Sequence, residues 1–341
     1  MSASPANIQL STSLFSFAYE WNSGQYTFDS LLARLRALGV GPGLEVVGFQ
    51  SFRGFPHLSD AALGKIKDQL ARHGFVPACL DANVDIALRR DRRLSVEETV
   101  EYLKPQLRVA AALGFPVLRV QMMAKPEVLR QLAPLAEKAN VKLGMELHTP
   151  YSVQHPAVLV LRKLYEELDT PYLGFIPDFG TSMRTIPAAL LSSFREVGVT
   201  DELIAVTREI WQQNAPAPRK FGELQERAAA LGGTPAQIGR LNMAFSMNGR
   251  QDPKDWAEIV PRTVHLHGKF YGFDANGDEP SIDYAAILKV FHEGGYQGYL
   301  SSEYEGSAFT DEFTAFDMVQ QHQALCRRIL AQLEQPQPVA P

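Results

Sequence analysis

Short apolar runs alternate with longer amphipathic stretches along nearly the whole chain, and this alternation predicts eight strand–helix units. The first apolar run, Leu14 to Ala18, is followed by FDSLLARLRALG at 28–39, whose apolar positions recur at helical spacing and stop at Gly39. LEVVGF at 44–49 precedes SDAALGKIKDQLARHG at 59–74, with Ser59 placed to cap the helix and Gly74 to end it. FVPACL at 75–80 precedes a helix opening near Ser95, where Ser-Val-Glu-Glu has the form of a capping box. VLRVQ at 117–121 leads to a helix opening at Pro126, whose fixed φ suits a first turn, and KLGMELH at 142–148 leads to one near Pro156. YLGFIPD at 172–178 begins a sixth unit, and TVHLHG at 263–268 and GYLSSEYEG at 298–306 supply the last two strands.

Alternating strands and helices pair in parallel through right-handed crossovers. Eight units predict a (β/α)8 TIM barrel, an α/β fold whose usual size is roughly 250 residues plus insertions. The excess length of this 341-residue chain lies between strands six and seven, where residues 187–260 include DELIAVTREIWQQN and FGELQERAAALGG. These predict a helical insertion elaborating the barrel mouth. The expected organisation is an N-terminal extension at 1–12, a single barrel at 13–330 and a disordered tail at 331–341, rich in Gln and Pro. A doubly wound open sheet would carry G-x-G-x-x-G after its first strand, and that motif is absent.

Charge narrows the partners. A formal net charge of −5 argues against a nucleic-acid surface, which needs concentrated Lys and Arg. The cluster Arg89-Arg90-Asp91-Arg92-Arg93 is interrupted by an acid and reads as a solvated loop. Cys79 and Cys326 are far apart, make no disulfide framework and suit a reducing, cytoplasmic setting, with Cys79 a small core residue. The start MSASPANIQLSTS lacks the basic and apolar regions of a signal peptide. No apolar run approaches the roughly 20 residues a membrane span needs.

In a barrel, chemistry gathers at the C-terminal ends of the strands. Strand five ends in Met145-Glu146-Leu147-His148, strand six in Ile176-Pro177-Asp178-Phe179-Gly180, strand seven carries His265-Leu266-His267-Gly268-Lys269, and strand eight ends in Ser301-Ser302-Glu303-Tyr304-Glu305. Each such residue taken singly has a structural role open to it, as a helix cap or a hydrogen-bonded core group. Four consecutive strand ends with buried carboxylate or imidazole groups are better explained by a shared cation, because burying them unpaired costs several kcal/mol. The expected ligands are Glu146, Asp178, His267 and Glu303. Mixed oxygen and nitrogen ligation suits Mn²⁺, with Mg²⁺, Co²⁺, Zn²⁺ and Fe²⁺ as alternatives.

Alternation on strand seven turns His265 and His267 to one side, with His267 nearer the mouth as ligand and His265 deeper, supporting a carboxylate. His148 lies on the side of Glu146, one step further out, where it is a candidate acid or base or a solvent-facing loop residue. Lys269 either stabilises an oxyanion or forms a salt bridge. Gln121 and Arg184 are candidate contacts to substrate hydroxyls, and Phe17, Tyr19, Trp21, Phe49, Phe52 and Phe55 are either walls or core. Gly249-Arg250-Gln251-Asp252-Pro253 reads as a turn before a helix.

The order Glu, Asp, His-x-His, Glu on strands five to eight resembles the xylose isomerase-like TIM-barrel superfamily, over residues 10–330. That superfamily includes sugar isomerases and epimerases, inosose dehydratases and enzymes of the endonuclease IV type. The resemblance implies one divalent metal, often Mn²⁺, on Glu146, Asp178, His267 and Glu303, with the two glutamates shuttling a proton. The segments GMELHTP, IPDFG, NGRQDPKDW, VHLHGKFYGFD and GGYQGYLSSEYEG are similar to the catalytic subunits of bacterial C-glycoside deglycosidases. That likeness implies a 3-oxo glycoside substrate, cleavage of the sugar–aglycone bond and a small β-rich partner subunit; barrels of this group commonly form homo-oligomers.

Both likenesses share one chemical core. A cation beside a carbonyl acidifies the neighbouring C–H, and Glu146, Glu303 or His148 takes the proton. Reprotonation elsewhere isomerises or epimerises a sugar, whereas expulsion of a β-substituent is an elimination. An endonuclease IV-like phosphodiesterase would need more histidines for three zinc ions and a basic groove. A non-catalytic sugar-binding barrel would be signalled by loss of one of the four ligands, and all four are present.

Overall fold

The computed structural model describes residues 6–84, 88–122, 124–312 and 314–335. Eight parallel strands form a nearly closed barrel: β1 (Asn7–Ser13), β2 (Gly43–Val47), β3 (Val76–Asp81), β4 (Val117–Val120), β5 (Lys142–Leu147), β6 (Leu173–Pro177), β7 (Leu266–Phe270) and β8 (Gln297–Tyr304). Neighbours in sequence pair with one another, and β8 returns to β1 through register pairs from Asn7–Gln297 to Thr12–Ser302. The last seam is thinner: isolated parallel bridges Phe175–Thr263 and Asp178–His267 join β6 to β7.

Local chemistry explains the helix boundaries. The Asp60–His73 helix starts where Ser59 Oγ accepts the Ala62 N–H and stops at Gly74, at φ 69°, a left-handed conformation that glycine adopts at little cost. The Val96–Leu113 helix opens on the expected capping box, with the Glu98 N–H donating to Ser95 Oγ at 3.2 Å and the Ser95 N–H to Glu98 Oε2 at 2.8 Å. Pro126 and Pro156 occupy first-turn positions of their helices.

The first strand lies upstream of the run expected for it. NIQLSTS forms β1, so residues 7–12 belong to the barrel rather than to an extension, and Leu14–Phe17 forms a 3₁₀ turn at the mouth. The reason is packing: Leu10 faces the helical layer, while Ser11 is small enough to pack beside Gly43 in the interior. At the other end the Ala315–Leu333 helix includes residues expected in the disordered tail; residues 336–341 lie outside the described residues. Its amphipathic pattern continues far enough to bury Ile329.

The insertion between β6 and β7 is helical as expected, with helices Ala188–Glu196, Asp201–Trp211, Ala217–Ala230 and Pro235–Leu241. Trp211 anchors it, buried and donating its indole N–H to the Asn248 carbonyl at 3.0 Å. The segment at Gly249–Gln251 then pairs back to the loop after β6, through an Arg250–Ser182 bridge, before a 3₁₀ helix at Pro253–Glu258. At Gly249 a Cβ would lie 2.5 Å from the Thr181 carbonyl oxygen, so only glycine permits this approach.

Most of the core lies between barrel and helices. Inside the barrel a separate small cluster joins Cys79, Val117 and Ile176, with Val264 packed against it. Gly144 and Gly174 make room for it: added Cβ atoms would meet Ile176 Cδ1 at 2.6 Å and Val264 Cγ1 at 2.4 Å. Above this apolar plug the interior becomes charged.

Candidate metal centre

Glu146 and Glu303 are the second-to-last residues of β5 and β8, Asp178 directly follows β6, and His267 is the second residue of β7; their side chains meet inside the barrel. Ligand atoms of Glu146, Asp178, His267 and Glu303 all lie within 4.8 Å of one another. His267, wholly buried, turns Nδ1 toward the others, 3.0 Å from Glu146 Oε1 and 3.7 Å from Glu303 Oε2. Asp178 is set by the turn after β6, where its Oδ1 accepts the Gly180 N–H at 2.7 Å. A Cβ on Gly180 would sit 2.8 Å from Lys269 Cδ and 2.9 Å from Asp178 Oδ1, which explains the glycine of IPDFG.

Three groups that the strand-end reading passed over complete the surroundings. Glu45 of β2, fully buried, lies 2.7 Å from His265 Nε2 and 3.3 Å from His267 Nε2. Arg119 of β4 reaches Glu146 Oε2 and Asp81 Oδ1, both at 3.4 Å. The carboxylate beside His265 is Glu45. Their sequence signal is one charged residue in each apolar run: Glu45 and Arg119 inside LEVV and VLRV, and Asp81 at the close of VPACLD.

The electrostatics follow from burial against pairing. Burial opposes ionisation of Glu146, but the Arg119 charge and the His267 hydrogen bond outweigh it and hold its carboxyl well below the usual range. Glu45 is likewise held low, because His267 and His265 overcome its desolvation. Burial wins at Glu303: even with His267 and Lys269 nearby its carboxyl is pushed well up, with Asp178 and Glu146 adding to the rise. Asp81 is raised to about 7 by burial, against the pull of Arg119. The His267 ring is raised well above its usual value, since Glu45, Glu303 and Glu146 overcome the cost of burying its charge.

This donor set fits a hard divalent cation. The protein's own positive groups do not compensate all three carboxylates, and Glu303 Oε2 is buried without a hydrogen bond. Asp178 Oδ2 has Lys269 Nζ 2.7 Å away but no aligned hydrogen bond. Three carboxylates and one imidazole match the ligands that Mn²⁺ and related ions accept.

Other candidates divide. His148 is half-buried one step outside Glu146, with Nδ1 2.9 Å from the Thr149 carbonyl oxygen. Lys269 is buried between Asp178 and Glu305, at 2.7 and 3.0 Å, which favours its salt-bridge reading over an oxyanion contact. Gln121 spends Oε1 on the Val84 N–H at 3.1 Å. Arg184 is not brought to the four; it lies 3.7 Å from Asp283 and lines a groove with Asp274, Asp278 and Arg328. Among the aromatics Phe17, Phe52 and Phe55 are core, Trp21 is half-buried, and Tyr19 and Phe49 are exposed. The Arg89–Arg93 loop is solvated, with Arg92 paired to Glu98. Among the described residues no helix is long and apolar enough to cross a membrane.

Comparison with known proteins adds sequence kinship to this geometry. No family model matches the chain. It is 36% identical over 335 residues to the 3'-dehydrocarminate deglycosidase alpha subunit of a Microbacterium species, covering 96% of each chain. It is 39% identical over 330 residues to a C-glycoside deglycosidase alpha subunit of Arthrobacter globiformis, covering 93% of this chain and 89% of that one. Among solved structures, a xylose isomerase-like TIM barrel protein from Mycobacterium smegmatis in complex with magnesium has the same fold, with a TM-score of 0.54 at 13% identity, covering 96% of this chain and 98% of that one.

Proposed function

The chain belongs to the family of C-glycoside deglycosidase alpha subunits, and from that premise we propose that it is a divalent-metal-dependent enzyme that releases the aglycone from a 3-oxo glycoside by proton abstraction beside the carbonyl. The observation that carries the reading is the convergence of Glu146, Asp178, His267 and Glu303 from four consecutive strands within 4.8 Å. The name of one relative, the 3'-dehydrocarminate deglycosidase alpha subunit, supports a sugar already bearing a carbonyl.

The chemistry follows from that carbonyl. When bound, a cation on the four residues would polarise the sugar carbonyl and acidify the adjacent C–H. Mn²⁺ is our choice, with Mg²⁺, Co²⁺, Zn²⁺ and Fe²⁺ as alternatives. The proton at the carbon beside the ketone passes to a base, and the electron pair enters the carbonyl as an enolate. As the carbonyl re-forms, the bond from the next carbon to the aglycone breaks, and its electrons leave with the aglycone atom, which takes up a proton.

His148 is our base. A carbonyl oxygen can only accept, so the Thr149 contact keeps the proton on Nδ1 and leaves the Nε2 lone pair free. Glu146 and Glu303 would hold the cation and are the carboxyls we assign to return the proton. The relatives' description as alpha subunits supports a second, non-identical subunit in the working enzyme.

The test is a panel of 3-oxo C- and O-glycosides and keto-sugars incubated in D₂O, with and without Mn²⁺ after chelation, and with and without the second subunit. We expect Mn²⁺-dependent aglycone release. Deuterium incorporation without release would make the chain an isomerase or epimerase, and full turnover after chelation would end the metal-dependent reading.

A further inference from the structure

Behind the four candidate ligands, on the side away from the mouth, lies a buried carboxylate with no substrate to meet. Glu45 is 0% exposed, sits midway along β2 in the run LEVV, and has its Oε1 without a hydrogen bond. A buried carboxylate is costly unless it is paired, so its partners explain its presence. They are two imidazoles: Glu45 Oε2 lies 2.7 Å from His265 Nε2 and 3.3 Å from His267 Nε2. Ser301 Oγ, 2.9 Å from His265 Nε2, fixes that ring from the adjoining strand β8.

We propose that Glu45 is a positioning residue for the metal centre: it engages the Nε2 edge of His267 and so presents the Nδ1 edge to Glu146, Asp178, Glu303 and their cation. Carboxylates face both edges of the ring and can only accept; a cation held by Glu146, Asp178 and Glu303 would take the place of the proton on Nδ1, leaving Glu45 the N–H edge at Nε2. Among the described carboxylates only Glu45 pairs with Nε2, whereas Glu146 and Glu303 both pair with Nδ1. The 3.3 Å contact is longer than a well-aligned hydrogen bond, so the function assigned to Glu45 is orientation and charge. Such carboxylate–histidine–metal arrangements raise the basicity of the ligating nitrogen, and losing the carboxylate typically weakens metal binding about 10- to 100-fold. Arg119 does the corresponding task for Glu146, approaching Oε2 at 3.4 Å while Oε1 faces His267.

The inference rests on the metal-dependent reading above, and the test separates the two. Chelated full-length protein is titrated calorimetrically with Mn²⁺ alone, as wild type, Glu45→Gln, Glu45→Asp and Glu146→Gln, with the melting temperature of each metal-free form recorded. We expect one Mn²⁺ per wild-type chain, about 10- to 100-fold weaker binding in Glu45→Gln with its metal-free form still folded at the titration temperature, and partial recovery in Glu45→Asp. Equal affinity in Glu45→Gln with normal binding in wild type overturns the role of Glu45 and leaves the metal reading intact. A second Mn²⁺ that disappears in Glu45→Gln makes Glu45 a ligand and overturns it too. No Mn²⁺ on wild type ends both. A further measurement needs no variant: in Mn²⁺-loaded wild type with histidine labelled with ¹⁵N at Nδ1 only, electron–nuclear double resonance should detect a directly bound ¹⁵N. Coupling from Nε2 instead would overturn the proposal.

Discussion

Two neighbouring layers inside the same barrel meet the demands of burial in opposite ways. The lower layer, Cys79, Val117 and Ile176 with Val264, excludes water by packing alone, in space left by Gly144 and Gly174. The layer above it holds Glu45, Asp81, Arg119, Glu146, His265, His267 and Glu303, joined by contacts of 2.7–3.7 Å, with Asp178 beside them and paired to Lys269 at 2.7 Å. Each apolar residue there depends on volume, and a neighbour can relax into part of a lost methyl group. Each charged residue depends on named partners, because removing one leaves another uncompensated in a medium of low polarity. The lower layer therefore contributes stability, while the upper layer holds electrostatic free energy that a cation and a substrate can draw on.

The difference can be broken or sharpened by substitution. The largest effect belongs to the upper layer and is functional: Glu146→Gln and Glu303→Gln should each lower turnover about 10²- to 10⁴-fold, the range for lost acid–base and charge stabilisation. The denaturation midpoint of Glu303→Gln should change little, since burial already pushes that carboxyl up, whereas Glu146→Gln also leaves Arg119 and His267 short of a counter-charge and should lower it. A large fall in stability with Glu303→Gln at unchanged turnover would put that residue with the scaffold. Lys269→Met should follow, destabilising by about 3–5 kcal/mol in urea titrations because Asp178 and Glu305 lose their counter-charge. Saturating Mn²⁺ should recover part of that loss, and no recovery would separate Lys269 from the metal centre.

In the lower layer Ile176→Ala should cost about 2–5 kcal/mol through the cavity it leaves, with Mn²⁺ affinity measured calorimetrically unchanged. Coupling of that affinity to Ile176 would show the two layers acting as one. The smallest effect is a control outside the barrel interior. Ser95→Ala removes the cap of the Val96–Leu113 helix and should cost about 1 kcal/mol in urea, leaving turnover and Mn²⁺ binding alone.

Much of this contrast was legible in the chain. The strand-end residues Glu146, Asp178, His267 and Glu303 stand out because a titratable group at the close of an apolar run is costly unless something shares it. Glu45 and Arg119 give the same signal inside their runs, where a reading confined to strand ends passes over them, and Asp81 closes β3 without having been singled out. Strand β1 was hidden for another reason: with Ser11 on the interior face, NIQLSTS lacks the apolar density of its neighbours, and the denser Leu14–Phe17 is a 3₁₀ turn. Lys269 had two open roles on sequence grounds, and its neighbours Asp178 and Glu305 favour the salt bridge.

What the sequence determined by itself was the kind and order of the elements and the strand ends where chemistry collects. Caps, glycine stops and hydrophobic periodicity act over a few residues, and parallel strands in a barrel necessarily bring their C-terminal ends to one mouth. Only the tertiary structure decided which group faces which: His267 lies 121 residues from Glu146, and His265 lies 220 residues from Glu45. Those pairings depend on the stagger of the strands and on differences of about 1 Å in distance, to which Coulomb energies in a buried site are acutely sensitive and which no local pattern records.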